Sequence, residues 1–285
     1  VCACLPERQG LCLPADEAGP MDSFAEPAKY VRVAIGLDVT ILNIKISGRY
    51  EIIDPIKKGV LLRGKNLKTT VVAFKTGIML GGNGFNTDRV LIDVKETGTL
   101  IMNGRSFRGN IQLIKKENLR FLVVNHIELE DYIKGISVWE ISHYWPVDAL
   151  KAQVIAFRTF ALYKMQEGVA KDYDLTSAIY SQIYGGTAAE RYRINKAVDE
   201  TKGMALIYGD KIFPAFYHAT CAGRTEDASL LWNINLAPLK GVACDFCKDS
   251  PHFKWQSVLS QSEIKEKLRI AGYSLNNIKD IKILG

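Results

Sequence analysis

The chain has 285 residues, 47% of them hydrophobic and 24% charged, a globular composition that excludes a disordered or collagen-like polymer. With 37 Lys and Arg against 31 Asp and Glu, the formal net charge is +6, which suits an acidic polymer partner such as a nucleic acid or an anionic wall glycan without selecting one. No apolar run approaches the ~18 uncharged residues of a membrane-spanning helix, and the positive charges are scattered along the chain, which argues against a nucleic-acid binder.

Residues 1–29 carry Pro and acidic residues without periodicity and read as a leader or linker. The stretch starts at Val1 and holds Cys2, Cys4 and Cys12 ahead of Met21, a pattern that suits either the trace of an export or lipid-attachment segment or extraneous sequence ahead of Met21, the first being favoured. From Tyr30 to about Asn125 the pattern is β. Val31–Ile35 alternates, Thr40–Ile46 is β-branched, and Val71–Phe74, Val90–Val94, Thr99–Ile101 and Ile111–Ile114 follow between turn residues. The tract Gly81–Gly84 has no Lys-Ser/Thr pair and no helical pattern after it, so it reads as a hairpin turn, not a phosphate cradle.

Beyond Phe121–Val124 the periodicity becomes helical. Helices are expected over Glu128–Trp139, over Val147–Glu167 with Pro146 in its first turn and Gly168 behind it, and over Ala188–Lys202 closed by Gly203. β-like segments return at Met204–Tyr208 and Ile212–His218, and a last helix covers Ser260–Ala271, with Ser260 and Ser262 as caps. Ile278–Leu284 alternates like a strand and the chain stops there, which reads as a truncated C-terminus. The expected fold class is α+β: a leader (1–29), a β-rich module (30–125) and a mixed helical catalytic domain (126–285).

Chemistry concentrates in the helical part. Glu140 lies between Trp139 and Ile141, with Tyr144, Trp145 and Pro146 close behind. A carboxyl among apolar side chains loses hydration in its charged form, so its pKa rises and it can act as a general acid near neutral pH; the alternative is an exposed helix-end Glu. Lys151 and Arg158, seven residues apart, share one helix face with Leu150, Val154, Ile155, Ala161 and Leu162. Two cations in an apolar stripe need either an ion-pair network or an anionic substrate, and the residues alone leave both open.

These segments resemble the sporulation stage II protein D family, also called the SpoIID/LytB domain. The resemblance rests on Glu130-Asp131-Tyr132, Gly135, Trp139-Glu140, Trp145-Pro146, Ala149–Gln153 and Phe157-Arg158-Thr159, then Ser181–Gly186 and His218–Glu226, in order from about residue 125 to 256. Two departures stand out: Ile141–Tyr144 replaces a Met-Pro type sequence, and a downstream Ser-Gly-Arg block is absent. The resemblance implies a lytic transglycosylase that cuts peptidoglycan strands stripped of stem peptides, with Glu140 as the catalytic acid. A lone carboxyl suffices because the sugar's own C6 hydroxyl attacks C1, whereas ordinary glycosidases need two. On that reading Lys151 and Arg158 hold lactyl carboxylates, and Gln182, Tyr184, His218 and Thr220 offer hydrogen bonds and stacking to the sugar. Some relatives enhance a cell-wall amidase without cutting glycan, so a noncatalytic peptidoglycan-binding module is the second reading. Either places the protein outside the cytoplasm, at the cell wall, with no nucleic-acid partner.

Cys221, Cys244 and Cys247 form a third constellation, with Cys244 and Cys247 in a C-x-x-C pair and His218 and His252 nearby in sequence. Three thiolates and the imidazole of His252 make a closed, structural zinc site; a disulfide with one unpaired Cys is the alternative for an exported protein. A zinc hydrolase is disfavoured by the missing H-E-x-x-H pair.

Overall fold

The computed structural model describes residues 30–95, 98–168, 171–179, 181–273 and 275–282. The expected leader with its three cysteines, and the end of the expected C-terminal strand, lie outside them. The described chain forms two compact units, one running through His218 and the other from Ala219 onward.

The first unit is built on a mostly antiparallel sheet. Its strands are β1 (Tyr30–Val39), β2 (Ile41–Asp54), β3 (Gly59–Phe74), β4 (Gly77–Leu80), β5 (Asn83–Phe85), β6 (Arg89–Val94), β7 (Thr99–Met102), β8 (Arg105–Phe107), β9 (Asn110–Lys115), β10 (Phe121–Glu128) and β11 (Leu175–Thr176). They run in the order β11-β1-β10-β9-β6-β2-β3-β4-β5, with β7 on β2 and β8 on β7; only β1 and β11 pair in parallel. Strand β2 shows the period-2 logic plainly. Leu42, Ile44, Ile46, Tyr50 and Ile52 are buried, and the residues between them face outward. The Gly81-Gly82 turn closes the β4–β5 hairpin, as the sequence indicates.

Strand β10 is different, with every residue from Phe121 to Asn125 buried. Phe121, Val123 and Ile127 join the main core, while Leu122 and Val124 pack with Ala34 and Ile114 beneath Tyr173. A strand covered on both faces reads as a continuous apolar run. The domain boundary expected near residue 125 falls inside this strand, which pairs with β1 and β9 and runs without a break into the first helix. The chain divides compactly after His218 instead.

Helices α1 (Leu129–Glu140) and α2 (Val147–Glu167) lie where the periodicity puts them. Helix α3 is shorter than expected, Tyr192–Glu200, preceded by a 3-10 turn at Gly186–Ala189. Between them Glu190 and Arg191 are extended, and the Glu190 carboxylate is held by Arg108 through bonds of 2.6 and 2.9 Å, a tertiary anchor that overrides local propensity. The segments expected as strands after residue 203 form only a short hairpin of β12 (Ile207–Tyr208) and β13 (Lys211–Ile212).

In the second unit, α4 spans Ala228–Trp232 and α5 spans Gln261–Ile270. Ser260 caps α5 as expected, in a capping box with Glu263. Residues 278–282 form no strand.

Candidate active site

Glu140 is the last residue of α1. Its position depends on an irregular segment, Ser181–Gly186, that touches the helix. The Gly185 N–H donates to the Gly135 carbonyl at 3.0 Å, and the Ile183 N–H donates to Glu140 Oε1 at 2.8 Å. This approach is close enough that a Cβ on Gly135 would run into the Tyr184 ring, and one on Gly185 into the Trp139 indole. The glycines of the two sequence blocks are therefore there to let helix and segment touch.

Burial pushes the Glu140 carboxyl above its usual range, and the bond from Ile183 only partly opposes it. Among the described carboxyls, only Asp131 is pushed the same way, also by burial, but Arg108 and Lys134 stand beside it and pull it down. No cation contributes at Glu140. The Tyr217 hydroxyl is buried beside Glu140 and Gln182 and meets hydrogen-bond geometry with neither, so it can turn to the carboxylate when that group ionises. Tyr217 gave no signal in the sequence reading because nothing in its local pattern distinguishes it from core aromatics. Trp139 precedes the acid in the chain and Tyr144 follows four residues on; they are 55% and 79% exposed, and large exposed aromatics can offer a stacking surface to a sugar ring.

The other sequence candidates take up different positions. Gln182 is fully buried, accepting from the Tyr132 hydroxyl at 3.0 Å and lying under the loop that carries Ile183. Tyr184 is also buried, its hydroxyl donating to Asn125 Oδ1 at 2.8 Å and its ring tilted against Tyr132 and Phe107. Both brace the site from behind, so the expectation that they face the sugar gives way to a packing role. His218 ends the first unit and is exposed.

Arg158 and Lys151 resolve toward ion pairs. The Arg158 side chain is 1% exposed. Its Nε and Nη2 donate to the two Glu130 oxygens at 2.9 and 2.7 Å, and Nη1 donates to the Met204 carbonyl at 3.0 Å. A guanidinium so enclosed does not reach a substrate carboxylate. Lys151 is half-exposed and pairs with Glu200 at 2.7 Å, tying α2 to α3.

In the second unit, Cys221, Cys244 and Cys247 come together with all three sulfurs within 4.8 Å of one another. Cys221 and Cys247 are 3.4 Å apart, too far for a disulfide of about 2 Å. Sulfurs sharing a tetrahedral zinc at about 2.3 Å would sit roughly 3.8 Å apart, so the cluster fits a metal. Backbone pairing builds it: the Cys244 N–H donates to the Gly223 carbonyl at 2.9 Å and the Thr225 N–H to Val242 at 2.9 Å. His252 is exposed and does not join the sulfurs, so the expected fourth ligand is not gathered with them. Thr220 is bonded to Ser250 at 2.8 Å.

Comparison with known proteins places this architecture. Residues 117–208, from the entry to β10 through β12, match the family model described as Stage II sporulation protein, SpoIID. The chain is 30% identical over 162 residues to the Stage II sporulation protein D of Bacillus subtilis, covering 52% of this chain and 47% of that protein. It is 29% identical over 236 residues to an uncharacterised protein of Brachyspira hyodysenteriae, covering 82% and 62% of the two chains. A protein of Bacillus subtilis named amidase enhancer is 33% identical over 135 residues, 47% of this chain and 18% of its own length. The chain thus spans less than two thirds of each of these relatives. Residues 117–208 are similar to the SpoIID family, and no helix of the described residues is long and apolar enough to cross a membrane.

Because the guanidinium is enclosed, replacing Arg158 by Met should lower unfolding free energy by about 3 kcal/mol, since it strands the partly buried Glu130 carboxylate. A denaturant-unfolding cycle that adds Glu130→Met should recover part of that loss. Additive losses would show that the two side chains do not act as a pair.

Proposed function

We propose that this protein cleaves peptidoglycan glycan strands, outside the cytoplasm, as a lytic transglycosylase. The observation that carries the proposal is the Glu140 carboxyl, half-buried, held up by burial and with no cation acting on it, in a stretch of chain that also carries the exposed rings of Trp139 and Tyr144. In its protonated form, which burial favours, Glu140 gives its proton to the glycosidic oxygen as the bond from C1 breaks. The C6 hydroxyl of the same muramic residue then closes on C1, and the Glu140 carboxylate takes the hydroxyl proton. One group serves both steps, so the second carboxylate of ordinary glycosidases is not required. Tyr217 is placed to donate to the carboxylate in the interval, and Ile183 N–H fixes its rotamer. The absence of stem peptides in the preferred strand follows from the family resemblance.

A second reading, a noncatalytic module that binds peptidoglycan and stimulates an amidase, is favoured by the likeness to the protein named amidase enhancer. Digestion of purified sacculi and of peptide-free glycan, followed by mass spectrometry, separates the two. The proposal expects 1,6-anhydro-muramic ends and, for Glu140→Gln, a rate lower by about 100-fold or more with the fold retained. Intact glycan with wild-type protein would leave the amidase reading in its place.

We infer in addition that Cys221, Cys244 and Cys247 hold a structural zinc ion, with a fourth ligand other than a pre-placed His252. The ion would supply the positive charge that three crowded sulfurs need to ionise; without it, burial and the neighbouring thiols hold the Cys221 thiol up. Elemental analysis of protein prepared without reductant should find about one zinc per chain, and chelation should lower its melting temperature. Metal below roughly a tenth of an equivalent with two thiols lost would favour the disulfide instead.

A further inference from the structure

The sheet of the first unit carries a charged face that the glycan chemistry does not use. On the outward side of β2 and β3 the register sets Lys45 directly opposite Lys68 and Arg49 directly opposite Lys65. Like charges facing each other across an antiparallel pair, with Cβ atoms roughly 5 Å apart, are destabilising. One row further, Glu51 faces Arg63 at 2.7 Å and takes Lys95 at 3.0 Å, so the acids at that end are spent. Among the described residues none of Lys45, Lys68, Arg49 and Lys65 forms an ion pair. The β2–β3 turn adds exposed Lys57 and Lys58.

Protection of a sheet edge explains part of this pattern. The first part of β3 is an edge, where lysines discourage pairing with another chain. It does not explain Lys45 and Arg49, which lie on β2, a strand paired on both sides. Beside the first pair lies a shallow groove of ≈ 370 Å³, walled by Lys45, Lys68, Thr70, Asn43, Ile101 and Gly104. A bulge lies between the two cation pairs, which are four residues apart along β2 and three along β3, a separation of roughly 10–13 Å. That spacing suits a repeating anion better than a single small one. The outward side chains here are aliphatic or polar, with no aromatic ring on which a base would stack, which disfavours single-stranded nucleic acid.

We propose that this face binds an extended polyol-phosphate chain, a phosphodiester-linked polyanion, with Lys45 and Lys68 on one repeat and Arg49 and Lys65 on a later one. Charge complementarity carries the proposal, and it stands independently of glycan cleavage. Scattered in the sequence, these cations become one stripe through strand pairing.

The test is binding of the full chain to poly(glycerol phosphate) over a range of salt, with inorganic phosphate and an oligothymidylate as comparison probes. Wild-type protein should bind the polymer, and the Lys45→Gln, Lys68→Gln double variant should bind at least tenfold more weakly. Its slope of log affinity against log salt should be shallower by about 1.4, at ~0.7 per lost contact. Its melting temperature should stay the same or rise, because a like-charge pair is relieved. The Glu140→Gln variant should bind as wild type does, which separates this face from the cleavage site. Failure to bind the polymer, unchanged affinity in the double variant, equal competition by inorganic phosphate at matched phosphate concentration, or tighter binding of the oligonucleotide would each overturn the proposal.

Discussion

The Arg158–Glu130 pair is the constraint on which the first unit depends. A guanidinium 1% exposed in an apolar core is tolerable only when its donors are met, and here they reach the Glu130 carboxylate and the Met204 carbonyl. The two partners come from different elements. Glu130 opens α1 immediately after β10, and Met204 follows α3, so the one side chain of α2 joins the start of α1 to the chain beyond α3. With its first turn fixed to α2 and its middle pressed against Ser181–Gly186, α1 has little freedom left in how it delivers its last residue.

That residue is Glu140, and the packing that places it also tunes it. The segment that supplies the Ile183 N–H removes water from one side of the carboxyl, and Tyr217 lies close beside it. Desolvation raises the pKa, the Ile183 N–H and the nearby Tyr217 hydroxyl lower it, and desolvation is the larger effect. Asp131, on the same helix, shows what a charged neighbourhood adds: Arg108 and Lys134 act against its burial. The cations of α2 that sequence places near the acid are occupied with Glu130 and Glu200, so the proton affinity of Glu140 is set by its apolar surroundings and not by a charge partner.

Much of this was legible in the sequence, where one period dominates. The periodicity of α1 and α2 predicts those helices closely and Ser260 announces the start of α5, whereas the β-branched stretch Thr40–Ile46 marks only the first half of β2. Where tertiary contacts overrule local preference the reading failed. The Arg108–Glu190 pair shortens α3 from the front, and β10, buried on both faces, concealed the continuity between sheet and helices. Side-chain roles were less visible still. Gln182 and Tyr184 belong to a motif block yet point into the core, while Tyr217, with no motif of its own, lies beside the acid. The three cysteines are recognisable as a cluster in the sequence, but nothing in the sequence tells His252 from a true ligand; only the structure shows it exposed and apart from the sulfurs.

The account stands on Glu140 holding its proton above the ordinary carboxylate range. Carboxyl 13C shifts of labelled glutamate side chains, followed from acid to neutral pH, measure this directly, with the Glu140→Gln spectrum identifying the resonance. The account predicts that this resonance titrates above the usual value of about 4.3 for a glutamate in water. A midpoint at or below that value would contradict it, because the group would then be ionised at the pH where it is asked to donate a proton.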